Sequence, residues 1–475
     1  MTSAVRATSL GVATSLVGVG LLTQAAYGGR RSRLFPDRPG RWILTARQLQ
    51  WKDLVTSTRP VVFLHIGAMK TGTTFLQNLM YKNKEHLAAA GYLLPGKGWV
   101  HQVRAVRDVL GGGLGYPDPE PDSAGAWASL ARQMLEHRGR ASILSMEFLS
   151  LASPGRARRV LSSLEGAEVH VILTVRDANP TIQAQWQTNV RNGSKVDWVG
   201  FMKAVHRARG LEGRFGRYSW NPALRAFKRQ QDIPYMLDAW GRHLPPDRIH
   251  VITVPTGPDR MLLWERFAGV IGVDPAVCST PAKQANESLG YASTELIRRV
   301  NVELGRLPHT KYNPTVLDFL ALRVLARRRD EETTARVDRA TFELGLAWNR
   351  WFREAIVTAG VDLVGDLDDL PIAHGDVDPM IDEDQTPPSD EEILAAAAVA
   401  QKGLRRLITR RVRRLRKQGL AAEMVAGDDA GTGGPESWRR APDPVAAAVK
   451  DVAALSREAI DLHGRLREEK LRTSR

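Results

Sequence analysis

Between His65 and Thr74 the chain reads His-Ile-Gly-Ala-Met-Lys-Thr-Gly-Thr-Thr, a set of residues suited to holding an anion. Glycine lets the backbone approach a ligand closely, threonine hydroxyls add hydrogen bonds, and Lys70 supplies charge. Gly67 and Gly72 have the spacing of the nucleoside-triphosphate loop G-x-x-x-x-G-K-[ST], and Thr74 falls at its Ser/Thr position. Thr73, however, stands where that loop carries its lysine, which here lies three residues upstream at Lys70. A triphosphate-cleaving kinase or nucleoside triphosphatase needs that lysine and acidic ligands for magnesium, and the sequence offers neither clearly. The displaced lysine suits a donor with one phosphate bonded to the group it gives up, where the charge to be neutralised lies at the scissile bond.

These residues need a strand and a helix to place them. Val61 to Ile66 is a short apolar, β-branched run, and Thr73 to Ala90 has apolar residues at helical spacing, so the loop joins a strand to a helix start whose free N–H groups attract anions. Further strands are expected at Ala141–Ser145, Val169–Val175 and Arg248–Val254, with helical patterns between them. Such runs predict a buried parallel sheet with its chemistry at the carboxyl ends of the strands. Arg176 and Glu147 both occupy such ends. His65 and His170 lie within strands and read as structural.

The string His65-Ile66-Gly67 with Lys70-Thr71-Gly72-Thr73-Thr74-Phe75-Leu76-Gln77 resembles the 5′-phosphosulfate loop of sulfotransferases that use 3′-phosphoadenosine 5′-phosphosulfate (PAPS), in the bacterial form. Val169–Val175, Arg176-Asp177 and the helix holding Trp186-Gln187 are similar to that family's 3′-phosphate strand and helix. Tyr235–Trp240, Ile249–Pro255, Leu263–Phe267, Asn286–Gly290 and Val364–Leu367 extend the likeness, which runs from about Arg59 to Leu370. The resemblance implies an α/β three-layer sandwich with a central parallel sheet, the P-loop NTPase-like sulfotransferase fold, plus a helical C-terminal extension. It also implies a PAPS-dependent sulfotransferase that transfers a sulfuryl group to a hydroxyl or amine of a carbohydrate, lipid or small-molecule acceptor.

In that reading Lys70, Thr71, Gly72, Thr73 and Thr74 hold the donor's phosphosulfate end, and Lys70 stabilises the leaving phosphate oxygen. Arg176 grips the 3′ phosphate through bidentate, charge-assisted hydrogen bonds. The family's catalytic base, a Glu or His after the second central strand, corresponds to Glu147, with His101 as the second candidate. One position departs. Where the family commonly has a serine eight residues beyond the arginine, this chain has Ala184, with Thr181, Gln183 and Gln187 as the neighbours able to replace the missing hydroxyl. Asn286 and Ser288 read as caps of a following helix. Trp99, Trp127, Trp186 and Trp198 are either cleft-lining or core residues. PAPS enters as co-substrate, and no metal-ligand cluster is visible.

The composition, 43% hydrophobic and 25% charged over 475 residues, is that of a globular protein. A single cysteine, Cys278, excludes an internal disulfide framework and fits a reducing compartment. The net charge of +15 is unevenly spread: between Glu391 and Gln418 nine Lys/Arg oppose two acidic residues, about half the excess. Leu404, Leu407, Ile408, Val412 and Leu415 recur there at mostly three- and four-residue steps, which predicts a basic amphipathic helix at 402–417. It is suited to an anionic membrane surface, to covering a partner helix, to nonspecific binding of nucleic acid or to docking on its own domain, and no specific nucleic acid is expected. The expected organisation is an N-terminal extension (1–55), a sulfotransferase domain (56–375), an acidic linker (376–390) and a basic, partly helical extension (391–475). From Ala7 to Gly29 no residue is charged, and Arg30, Arg31, Arg33, Arg38 and Arg41 follow. A marginal anchor, a signal-like leader and an unstructured extension all remain open for it. An anchor would leave the bulk of the chain in the cytoplasm, possible membrane association included.

Overall fold

The computed structural model describes residues 59–111, 123–207, 230–257, 259–281, 288–373, 381–420 and 434–473. The uncharged segment 7–29, its arginines and Asn286 lie outside these residues. Among the described residues no helix is long and apolar enough to cross a membrane.

The elements follow in chain order. β1 (Val61–Gly67) leads into α1 (Thr73–Lys82) and α2 (Lys84–Ala89), then β2 (Tyr92–Leu93), α3 (Trp99–Leu110), α4 (Ala126–Glu136) and β3 (Ala141–Ser145). α5 (Pro154–Ser162), β4 (Glu168–Val175), α6 (Ala178–Arg191), α7 (Trp198–Arg207), α8 (Ile233–Gly241), β5 (Ile249–Thr253) and α9 (Met261–Ile271) come next. The chain continues through α10 (Tyr291–Leu304), α11 (His309–Tyr312), α12 (Arg339–Ala359) and β6 (Asp362–Val364). It then forms α13 (Asp390–Lys417), α14 (Pro435–Arg439) and α15 (Pro444–Thr473).

All six strands form one parallel sheet in the order β2-β3-β1-β4-β5-β6. The four longer strands fall on the four apolar runs of the sequence. β1 pairs with β3 on one side (Val62↔Ser142, His65↔Ser145) and with β4 on the other (Phe63↔His170). Because the chain leaves β1 for β2 and later crosses from β3 to β4, the loop after β1 sits where the winding changes direction. That is where an open α/β sheet leaves a crevice.

Side chains alternate across the sheet and meet two separate cores. Val62, Leu64 and Ile66 of β1 face a large core with α3 to α6 and α10, while Val61 and Phe63 face a smaller one with α1, α2 and α9. Burial on both faces explains why these strands read as continuous apolar runs. The result is the three layers of an α/β sandwich.

Three details differ from expectation. The helix expected from Thr73 to Ala90 breaks at Asn83, whose amide donates to the carbonyls of Leu79 and Thr280 and accepts from Thr280 N. Between α11 and α12 the chain is wound as a π-helix from Asn313 to Val324 and then as a 3₁₀ turn from Leu325 to Glu331. Ser288 does not cap α10: Gly290 is its N-cap, and Glu332 takes the first-turn hydrogen bonds from Ser293 N (2.8 Å) and Oγ (2.6 Å).

Within the acidic stretch, Ile381 bridges to Val337 and Asp382 N donates to Val337 O at 2.8 Å, so this part lies against the domain. α13 begins at Ser389, which forms a capping box with Glu392. α13 packs on α15, and both pack on α10 and the π-helix, adding Ile393, Leu404, Ile408, Val412 and Leu415 to the larger core. Every described residue belongs to one compact unit that runs from Ile43 to Arg475. Arg411 is buried there without a carboxylate partner among the described residues, bonded instead to Thr315 Oγ1 (2.8 Å) and the carbonyls of Ala459 and Pro314.

Candidate active site

The turn between β1 and α1 is held from below by a chain of hydroxyl and imidazole groups. Thr71 Oγ1 donates to Ala68 O at 2.6 Å and lies 2.5 Å from Thr174 Oγ1, and Thr174 Oγ1 donates to Gly67 O at 3.0 Å. His65 contacts Ser145 Oγ through Nδ1 (2.8 Å) and Thr174 Oγ1 through Nε2 (3.2 Å). Complete burial drives the His65 pKa down to about 3, so the ring is neutral. With Ser145 donating to Nδ1 and Nε2–H donating to Thr174, each proton is used once. His65 is therefore a brace. Thr71, one of the expected donor-binding residues, uses its hydroxyl within the loop, on Ala68 O.

The backbone of the turn is strained in a way that fits close ligand approach. Lys70 has φ 66°, in the left-handed region that a residue with a side chain seldom adopts, and Gly72 has φ 87°. A Cβ on Gly72 would stand 2.6 Å from Leu263 Cδ2 of α9, so a side chain there would have to move Leu263 as well as adopt this φ. Gly72 is the N-cap of α1 and brings no capping side chain, so the positive end of the helix faces the turn.

Lys70 keeps part of its surface accessible while its surroundings desolvate the ammonium. Burial, then the charge of Arg191, lower its pKa to about 8, and Glu147 opposes them. Glu147 begins the short 3₁₀ turn after β3 and accepts a hydrogen bond from Gln77 Nε2 at 2.8 Å, while the same amide reaches Ser145 O at 3.1 Å. The structure thus brings Lys70 and Glu147 into one electrostatic neighbourhood.

Arg176 follows β4, the direct neighbour of β1. Burial lowers its pKa, Asp177 counteracts this and Arg260 adds to it, and among the described residues it forms no ion pair. The sequence reading did not include Arg191 or Arg260. Arg191, the last residue of α6, is half-buried, with its Nε buried and unpartnered, and donates from Nη2 to Thr188 Oγ1 at 3.1 Å. Desolvation lowers its pKa to about 10. An arginine at a helix end looks in sequence like one interacting with the helix dipole, and only the fold shows it half-buried beside Lys70.

His101 lies in the first turn of α3, a helix that packs against the 3₁₀ turn begun by Glu147. Its Nδ1 accepts from Lys97 N at 3.4 Å, with no hydrogen bond to Lys70 or Glu147. The residues expected to replace the missing hydroxyl at Ala184 are also committed elsewhere: Thr181 to Asp177 O (2.9 Å), Gln183 to Ala335 O and Gln187 to Leu289 O (2.9 Å). Trp127, Trp186 and Trp198 are core, whereas Trp99 is 47% exposed at the start of α3. A cavity of about 540 Å³ lined by Leu237, Arg242, Ile249 and Trp351 opens at the start of β5, the opposite edge of the sheet from the loop.

Comparison with protein-family models, with curated proteins and with solved structures finds no match to this chain. The charges fall in two sets: Lys70 with Arg191 and Glu147 at the turn after β1, and Arg176 with Asp177 and the exposed Arg260 after β4. Desolvating Lys70, Arg176 and Arg191 is costly unless an anion completes the site.

Proposed function

We propose that the chain transfers a sulfuryl group from PAPS to a hydroxyl or amine of a carbohydrate, lipid or small-molecule acceptor. The observation that carries this reading is the placement of Lys70 and Arg176 at the ends of adjacent strands β1 and β4, both desolvated and neither in an ion pair among the described residues. Such a pair suits a nucleotide with anionic groups at both its 5′ and 3′ positions. The lysine beside the turn, not at the start of the helix, suits a charge that develops on a bridging oxygen.

In this mechanism the first-turn N–H groups of α1, with Thr73 and Thr74, hold the 5′ phosphate. Glu147 Oε1 takes the proton of the acceptor hydroxyl while its Oε2 stays bonded to Gln77. The acceptor oxygen forms its bond to sulfur as the bond from sulfur to the phosphate oxygen breaks, and that oxygen keeps the electron pair. Lys70 donates a hydrogen bond or proton to it. Arg176 and Arg260 neutralise the 3′ phosphate, which supports a function for Arg260 where Ala184 offers no hydroxyl.

Calorimetric titration of the full chain with 3′-phosphoadenosine 5′-phosphate (PAP), followed by transfer of label from PAPS to a panel of acceptors, tests the proposal. Micromolar or tighter binding, about 8 kcal/mol or more, that Arg176→Ala weakens strongly supports it. Folded wild-type protein that binds no PAP would sink it and favour a sulfotransferase-like fold serving as a cationic binding protein.

A further inference from the structure

α13 divides its two sides sharply. Leu404, Leu407, Ile408, Val412 and Leu415 are buried, while Lys402, Arg406, Arg410, Arg413, Arg414, Arg416 and Lys417 are exposed. Among the described residues Lys402, Arg406, Arg413 and Arg414 form no ion pair, and the acidic residues of the helix, Asp390, Glu391 and Glu392, stand in its first turn. Arg410 lies over the Phe319 ring at 5.3 Å, which anchors the row to the π-helix. The exposed cations extend over roughly 24 Å of helix.

We propose that the face of α13 from Lys402 to Lys417 docks on the headgroup surface of an anionic lipid bilayer, by charge alone and without inserting apolar side chains. Clusters of four to eight basic residues on a helix are attracted to acidic headgroups within a Debye length. An interfacial helix ordinarily buries its apolar side in the membrane, but here that side is spent on α10, α15 and the π-helix. Lipid fits the row better than nucleic acid because the exposed side chains are nearly all point or planar charges, with no aromatic surface for stacking bases.

The test is co-sedimentation of the full chain with phosphatidylcholine vesicles, with and without about one-third phosphatidylserine, alongside the variant K402Q/R406Q/R413Q/R414Q. The expected result is binding that requires phosphatidylserine, is lost between about 50 and 500 mM salt, and falls at least about tenfold in the variant. All four positions are exposed, so an unchanged melting temperature verifies that the variant folds. Equal partitioning of variant and wild type overturns the proposal. So does tighter binding of a short DNA duplex than of the acidic vesicles, lost in the same variant, which would make nucleic acid the partner.

Discussion

Gln77 Nε2 donates to Glu147 Oε2 at 2.8 Å, so one side chain from α1 fixes the carboxylate that follows β3. The helix whose start would hold the proposed donor thereby also positions the proposed base. Gln77→Met should lower kcat while leaving PAP affinity within about twofold, because the lost hydrogen bond orients the base and not the nucleotide. A parallel loss of PAP binding would show that Gln77 supports the loop instead.

Removing the base should separate chemistry from binding. Glu147→Gln keeps the size of the side chain and is expected to reduce sulfuryl transfer by about 10² or more, the usual scale of general-base catalysis, with PAP binding retained. Unchanged turnover would remove Glu147 from the mechanism and return attention to His101.

Lys70 gives a pH dependence with a defined sign. Its pKa lies near 8, below the ordinary value for lysine, so the charged form that attracts the donor is present below that pH and is lost as pH rises through it. PAP affinity and kcat/KM should therefore fall above about pH 8. Since the charge of Arg191 helps lower this pKa and Glu147 opposes it, Arg191→Met should move the falling limb to higher pH and Glu147→Gln to lower pH. A limb that stays in place in both variants would mean that another group controls it.

Truncation of Arg176, the proposed 3′-phosphate ligand, has a different signature. Arg176→Ala should weaken PAP by roughly 10-fold to 100-fold, the value of a charge-assisted pair, and weaken adenosine 5′-phosphosulfate, which lacks the 3′ phosphate, much less. Equal losses for both ligands would place Arg176 elsewhere.

The shared core makes a stability prediction. Leu404 of α13 is fully buried in the same cluster as Leu64 of β1, so Leu404→Ala should cost about 2 to 5 kcal/mol in one cooperative unfolding transition. A separate low-temperature transition would show that α13 and α15 unfold independently.

The central strands and the loop were legible because both cores demand unbroken apolar runs and because glycine, lysine and threonine are a conspicuous combination between a strand and a helix. Edge strands β2 and β6 were not: with two and three residues they carry no period to detect. Lys70, Glu147 and Arg176 could be placed from their positions after strands. The function of Thr71 could not, since its hydroxyl partner, Thr174, lies 103 residues away. For the same reason Arg191 was invisible, and the pinning of Gln183 and Gln187 depends on contacts with distant segments.

The network from Ser145 through His65 and Thr174 to Thr71 has a kinetic consequence. A turn whose shape is already fixed by its supporting strands would lose little flexibility on binding the proposed nucleotide, and the desolvated Lys70, Arg176 and Arg191 would draw that nucleotide in from solution. Encounter with the donor should then be fast, governed by diffusion and ionic strength, and the slow events of a catalytic cycle should lie in acceptor binding or product departure.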